Sequence, residues 1–168
     1  MRDTCSSHER CSVVEVMGRN AGYIAINAAI ACGAEVVLVP EIPFDFDNDV
    51  LRPILEGKSR GRKHNIVIVA EGIGGVIEMA AKIEEKTGIE SRATILGHVQ
   101  RGGRPSVRDR VTASRLGGRA VELLLEGKSN RLVCIQDGKI IDIDIEEGLA
   151  MKKQLSTELI ELAKKLSV

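Results

Sequence analysis

Aromatic side chains are nearly missing from this chain: among 168 residues there is no Trp, one Tyr and two Phe, 2% in all. Surfaces that stack nucleic-acid bases need such rings, so composition disfavours that class of function. A net charge is missing too, with 24 Lys plus Arg balanced by 24 Asp plus Glu. Neither wholesale binding to nucleic acid nor adhesion to an acidic membrane surface is expected. No apolar run approaches the roughly 18 residues of a membrane span, and no charged-then-apolar leader opens the sequence. The expected compartment is cytoplasmic. The four cysteines form no Cys-x-x-Cys pair. Cys32 and Cys134 lie in apolar runs and read as small core residues. Cys5, His8 and Cys11 have metal-like spacing, but no second cluster supplies a fourth ligand, so no metal site is expected.

What the chain does have is 43% hydrophobic residues in short runs punctuated by glycine, enough for one domain with a real core. The runs 13–17, 36–39, 66–70 and 93–96 read as strands. Periodic segments at 21–32, 50–59, 76–86 and 107–126 read as helices, with Asn48 or Asp49 capping the second. A hairpin is expected around Asp137-Gly138, with Asp142 and Asp144 on its solvated face. Leu155, Leu159, Leu162, Ala163 and Leu166 predict a tail helix with one apolar face. Asp45, Asp47, Asp49 and Glu56 mimic a calcium loop, but Val50 stands where that loop needs Gly, and Pro53 falls inside it.

Continuous apolar strands alternating with helices specify a mostly parallel sheet covered on both faces, a three-layer αβα fold. Ligands of such sheets gather at the carboxyl ends of strands. Met17, Gly18 and Arg19 fall there, as do Glu71 and the run His98, Val99, Gln100, Arg101. This edge mixes cations with a carboxylate, which suits a phosphorylated polyol. Gly33, Ala34 and Glu35, together with Arg60, Arg62, Lys63 and His64, fall at the opposite edge, which suits a phosphate-bearing anion.

The segments Arg2-Asp3-Thr4, Ser7-His8-Glu9-Arg10, Val14-Glu15-Val16-Met17-Gly18-Arg19, Arg92-Ala93-Thr94-Ile95-Leu96-Gly97-His98-Val99-Gln100-Arg101-Gly102-Gly103 and Asp109-Arg110 resemble the bacterial ATP-dependent 6-phosphofructokinases. The resemblance spans essentially the whole chain but only the second, C-terminal half of that family's subunit. It implies that residues 1–100 and 151–168 form mainly a substrate and effector domain. Residues 101–150 would then pack on an ATP-binding domain that this sequence does not contain, so an exposed apolar patch or self-association is expected. The implied reaction is phosphorylation of fructose 6-phosphate to fructose 1,6-bisphosphate by ATP, in glycolysis.

By the same resemblance, Met17, Gly18, Glu71, His98, Val99, Gln100 and Arg101 match the sugar-phosphate site. Arg10 and Arg92 match residues that reach into a neighbouring subunit's site, and Arg19 would lie near the transferring phosphoryl group, in a catalytic role. Arg2, Gly33, Ala34, Glu35, Arg60, Arg62, Lys63 and His64 match the effector site, which in that family takes ADP or phosphoenolpyruvate. Many members carry Lys at positions 60 and 62, where this chain has Arg: the charge is kept, but a fork replaces a point charge. The family is homotetrameric. ATP as co-substrate, its Mg2+ and the catalytic aspartate belong mainly to the first half, so the chain alone is expected to be inactive. A non-catalytic sugar-phosphate or effector-binding fragment, or half of a pyrophosphate-dependent relative, remain as alternatives.

Overall fold

The structure, a computed structural model, describes residues 9–152 and 154–166. It divides into two compact units, one formed by residues 1–101 and 155–168, the other by residues 102–154.

The first unit is built on a four-stranded parallel sheet in the order β2-β3-β1-β4. Its strands are β1 (Cys11–Val16), β2 (Val36–Leu38), β3 (Asn65–Ala70) and β4 (Ser91–Ile95). Glycine-punctuated apolar runs explain this arrangement. Every residue of β3 is buried, as a central parallel strand requires. Alternation along β1 sends successive side chains to opposite faces. Cys11 and Val13 join Val67, Val69, Ile54 and Ile83 beneath the helices α2 (Arg52–Ser59) and α3 (Val76–Thr87). Val14 and Val16 join Ile66, Ile68, Ala25 and Ala29 beneath α1 (Tyr23–Cys32). Each fully buried Ile or Val stabilises by about 1.5–3 kcal/mol relative to exposure. The result is helix, sheet, helix: the expected three-layer αβα fold.

The stretch before α2 departs from the expected simple helix. Residues Phe46–Leu51 form a π-helical turn, and α2 begins only at Arg52, with Pro53 in its first turn where no intrahelical N–H is needed. The cap is Asp45, not Asn48 or Asp49: its carboxylate accepts the Asn48 N–H at 2.8 Å. Asp49 returns a bond, accepting the Asp45 N–H at 2.7 Å, and Asp47 pairs with Lys86 at 3.2 Å. The three aspartates are thus used within the turn and beside it.

The second unit contains α4 (Val107–Leu125), the antiparallel hairpin β5 (Arg131–Gln136) and β6 (Lys139–Asp144), and a short α5 (Ile145–Ala150) that the periodicity did not predict. Ser106 and Asp109 open α4 as a reciprocal capping box. Asp142 and Asp144 differ from the expected solvated face. Asp144 caps α5, accepting the Glu146 N–H at 2.8 Å, while Asp142 takes Arg119 at 3.2 Å and Arg131 at 2.9 Å. Only Leu123 of α4 is buried, whereas Leu125 is 84% exposed and Leu149 80%. The tail helix is α6 (Thr157–Leu166), which belongs to the first unit and packs against α1.

Candidate functional site

The carboxyl edge of the sheet is closed by two turns that lock onto each other. β1 ends at Val16, and the chain turns at Gly18, whose φ of 154° lies in a region that favours glycine. A Cβ there would stand 2.4 Å from the Ala21 carbonyl oxygen. Arg19 follows in the left-handed conformation, φ 52°. Its backbone N–H donates to the Glu71 carboxylate, so the carboxylate at the end of β3 holds the turn at the end of β1. Gly72 makes that approach possible: a Cβ on it would meet the Arg19 carbonyl oxygen at 2.6 Å.

β4 ends in a 3-10 turn over Gly97–Gln100. It places Gln100 against β1, and the Met17 N–H donates to Gln100 Oε1 at 2.8 Å. His98, Val99 and Arg101 are exposed on the same turn. Met17, Gly18, Arg19, Glu71, Gln100 and the His98–Arg101 turn are thus brought to one edge. Among the described residues, the side chains of Arg19, His98 and Arg101 enter no ion pair or hydrogen bond. Two guanidinium groups and an imidazole with unused hydrogen-bond donors, beside a fixed carboxylate, can take a phosphate ester and a hydroxyl together.

The amino edge is arranged differently. Gly33 closes α1 in the left-handed conformation, and Ala34 and Glu35 follow it, both buried. Glu35 is only 5% exposed, yet polar groups face it on three sides. Its carboxylate accepts the Ile66 N–H, stands 3.5 Å from Arg62 Nη1, and lies 3.9 Å from His64 Nε2. A buried carboxylate without such partners would be costly. Lys63 extends toward Glu9 at 3.9 Å, and Arg60 is exposed at the end of α2. Lys58, Arg62, Lys63 and Asn65, with Glu9 and Glu90, line a cavity of about 290 Å³, and the Asn65 Oδ1 atom is buried without a hydrogen-bond partner. Arg2 lies outside the described residues, as do Cys5 and His8 of the metal-like spacing.

Arg10 and Arg92 lie at the amino end of β1 and β4. Both are bonded to one residue that sequence reasoning passed over, Glu90. Arg10 donates to it at 2.7 Å, and Arg92 at 2.8 and 3.0 Å. The signal was available in part: Glu90 stands two residues before Arg92, and alternation in an extended segment puts both on one face. Also passed over was Glu41, whose two carboxylate oxygens accept the Gly22 N–H at 2.9 and 3.1 Å, at the start of α1.

Fold and edges together define an α/β protein of the three-layer parallel-sheet class. Residues 1–124 match the family described as phosphofructokinase. The ATP-dependent 6-phosphofructokinase of Clostridium acetobutylicum is 56% identical over 167 residues, covering 99% of this chain and 52% of that protein. The protein of the same name from Bacillus cytotoxicus is 54% identical over 168 residues, covering all of this chain and 52% of the relative. Among solved structures, phosphofructokinase from Saccharomyces cerevisiae superposes with a TM-score of 0.83 at 30% identity, over 99% of this chain and 24% of that one. The chain belongs to the phosphofructokinase family. It spans about half the length of the curated relatives it matches.

Proposed function

We propose that this chain supplies the sugar-phosphate half of a 6-phosphofructokinase, an enzyme that transfers the γ-phosphoryl group of ATP to the 1-hydroxyl of fructose 6-phosphate. The observation that carries this reading is the contrast between the two edges. At the carboxyl edge, Arg19, His98 and Arg101 keep their side-chain donors unpaired among the described residues, around a carboxylate fixed by the Arg19 N–H. At the amino edge Arg62 faces Glu35, and Lys63 faces Glu9. The open donors suit an arriving phosphate, and Glu71 suits a sugar hydroxyl.

In this reading His98 and Arg101 hold the 6-phosphate, and Glu71 orients the sugar while it fixes the turn that carries Arg19. Arg19 then neutralises charge that builds on the transferring phosphoryl group, in a reaction that runs on positioning and electrostatics. Among the described residues, no grouping of three or more His, Cys, Asp or Glu could hold a metal ion. Mg2+ ordinarily takes one or two protein carboxylates beside the substrate phosphates. By the family resemblance, Mg2+, the nucleotide and the base for the sugar hydroxyl are assigned to a complementary half. The amino edge, with Gly33, Ala34, Glu35, Arg60, Arg62, Lys63 and His64, is assigned an anionic effector of the ADP or phosphoenolpyruvate kind. Arg10 and Arg92 are assigned to a neighbouring subunit's site, which requires a homo-oligomer, a tetramer by family. No helix among the described residues is long and apolar enough to cross a membrane, and a cytoplasmic location is proposed.

The test is a coupled assay with fructose 6-phosphate and Mg-ATP. The expected result is no turnover by the 168-residue chain alone, and turnover when a separately made first-half polypeptide is added. Turnover by the chain alone would move the base onto one of its own carboxylates. No turnover in either case would favour a non-catalytic binding fragment, and turnover with pyrophosphate in place of ATP would change the donor.

A further inference from the structure

The two arginines at the amino end of β1 and β4 present a problem of occupancy. β1 and β4 pair in parallel, with Cys11 opposite Ser91 and Ser12 opposite Arg92. The Cys11 N–H donates to the Glu90 carbonyl at 2.9 Å, carrying the ladder one step beyond the strands. Side chains alternate along each chain, so Arg10 with Ser12 and Glu90 with Arg92 face the same way. The register thus forces a carboxylate between two guanidinium groups. Each takes its own oxygen: Arg10 Nε donates to Oε2 at 2.7 Å, and Arg92 Nε and Nη2 donate to Oε1 at 3.0 and 2.8 Å.

A phosphate ester offers guanidinium forks what a carboxylate offers them, two coplanar acceptor oxygens with negative charge. Both forks are already turned onto Glu90, unlike those of Arg19 and Arg101. We propose that Glu90 is a built-in competitor for the anion that Arg10 and Arg92 would hold, so that a phosphate group must displace its carboxylate to engage either arginine. This rests on the sugar-phosphate reading of the two arginines given above.

The contact occupies two donors of Arg92 and the Nε–H of Arg10, and it is weak enough to yield. The two guanidinium groups, Arg10 first, hold the Glu90 carboxyl below the usual carboxylate range, so it stays charged wherever a phosphate dianion exists. Yet the side chains of Glu90 and Arg92 are 44% and 64% exposed, and an ion pair so open to water contributes little; Arg10, at 22%, is the more sheltered partner. Glu90 then sets a threshold: sugar phosphate binds the pair only above the concentration that outcompetes an ever-present carboxylate.

The arginine Nε–H signals of the 168-residue chain, assigned with Arg10→Lys and Arg92→Lys, report the competition during titration with inorganic phosphate. In Glu90→Gln, and again in Glu90→Ala, the dissociation constant read from these two signals is expected to fall roughly two- to tenfold. Backbone amide signals of the same samples verify that each variant is folded. Equal or weaker phosphate binding in the variants, with both signals still responding, overturns the competitor role and leaves the sugar-phosphate reading standing. No response of either signal in any chain overturns both.

Discussion

The backbone N–H of Met17 donates to the side-chain oxygen of Gln100 at 2.8 Å, tying together residues 83 apart in the chain. The bond fastens the turn after β4 to the end of β1, and so positions His98 and Arg101 relative to Arg19. Gln100→Ala removes the acceptor and leaves the Met17 amide to water. A stability loss of about 1 kcal/mol is expected in urea unfolding. Faster hydrogen exchange confined to Met17 and the 97–101 turn would identify this bond as the cause.

Arg101 makes no side-chain bond among the described residues and lies exposed, so its contribution to folding is expected to be slight. Arg101→Ala should leave stability within about 0.5 kcal/mol of the parent. In the enzyme reconstituted with a first half, the same change removes a charge-assisted contact to phosphate. KM for fructose 6-phosphate is then expected to rise roughly tenfold or more. Unchanged KM would remove Arg101 from the site.

Glu35 behaves in the opposite way. Buried between the Ile66 N–H and Arg62, it is part of the fold as well as of the amino-edge cluster. Glu35→Ala strands the buried Ile66 N–H and removes a carboxylate from beside the Arg62 guanidinium, and an unfolding cost of about 1–3 kcal/mol is expected. Glu35→Gln keeps an acceptor for Ile66 and should cost distinctly less. Urea melts of the two variants side by side distinguish charge from hydrogen bonding.

The second unit should have an acid-sensitive fastening. Arg119, which reaches Asp142, Glu122 and Glu126, and then Arg131 hold the Asp142 carboxyl below its ordinary value of 3.8. A depressed carboxylate stabilises the fold above its unfolded pKa, and that stabilisation is lost as pH falls through the folded value. Hairpin signals in the NMR spectrum should therefore be insensitive to pH near neutrality and weaken below about pH 4. Asp142→Asn should flatten that response. An unchanged acid profile in the variant would place the titration elsewhere.

The layers of the fold were legible because parallel strands bury both faces and so read as unbroken apolar runs. Val36–Leu38 and Asn65–Ala70 announce themselves this way, and Gly33 and Gly88 mark where α1 and α3 stop. The grouping of Met17, Glu71 and His98 was legible from the same grammar, since each lies within three residues of the end of a strand. Pairings between distant segments were hidden. Glu90 reads as an unremarkable surface residue until the register of β1 against β4 brings Arg10 beside it, 80 residues away. Asp45 was passed over as a cap because the turn it opens is π-helical, with a spacing that the 3.6-residue pattern does not match. α5 has six residues, too few to show a period; its trace in the sequence is the capping Asp144.

One layer of the first unit is completed by a segment that arrives late. α6 packs against α1 only after the chain has left the first unit at Arg101 and made the whole of the second unit. During synthesis the sheet can therefore form and gain α2 and α3 on one face while the flank of α1 that α6 will cover stays wet. Docking α6 closes a loop of more than 50 residues, which costs entropy but slowly with length. The outer helical layer is thus a final, separable folding step, and α6 should be the first helix of this unit to detach when the protein is gently warmed.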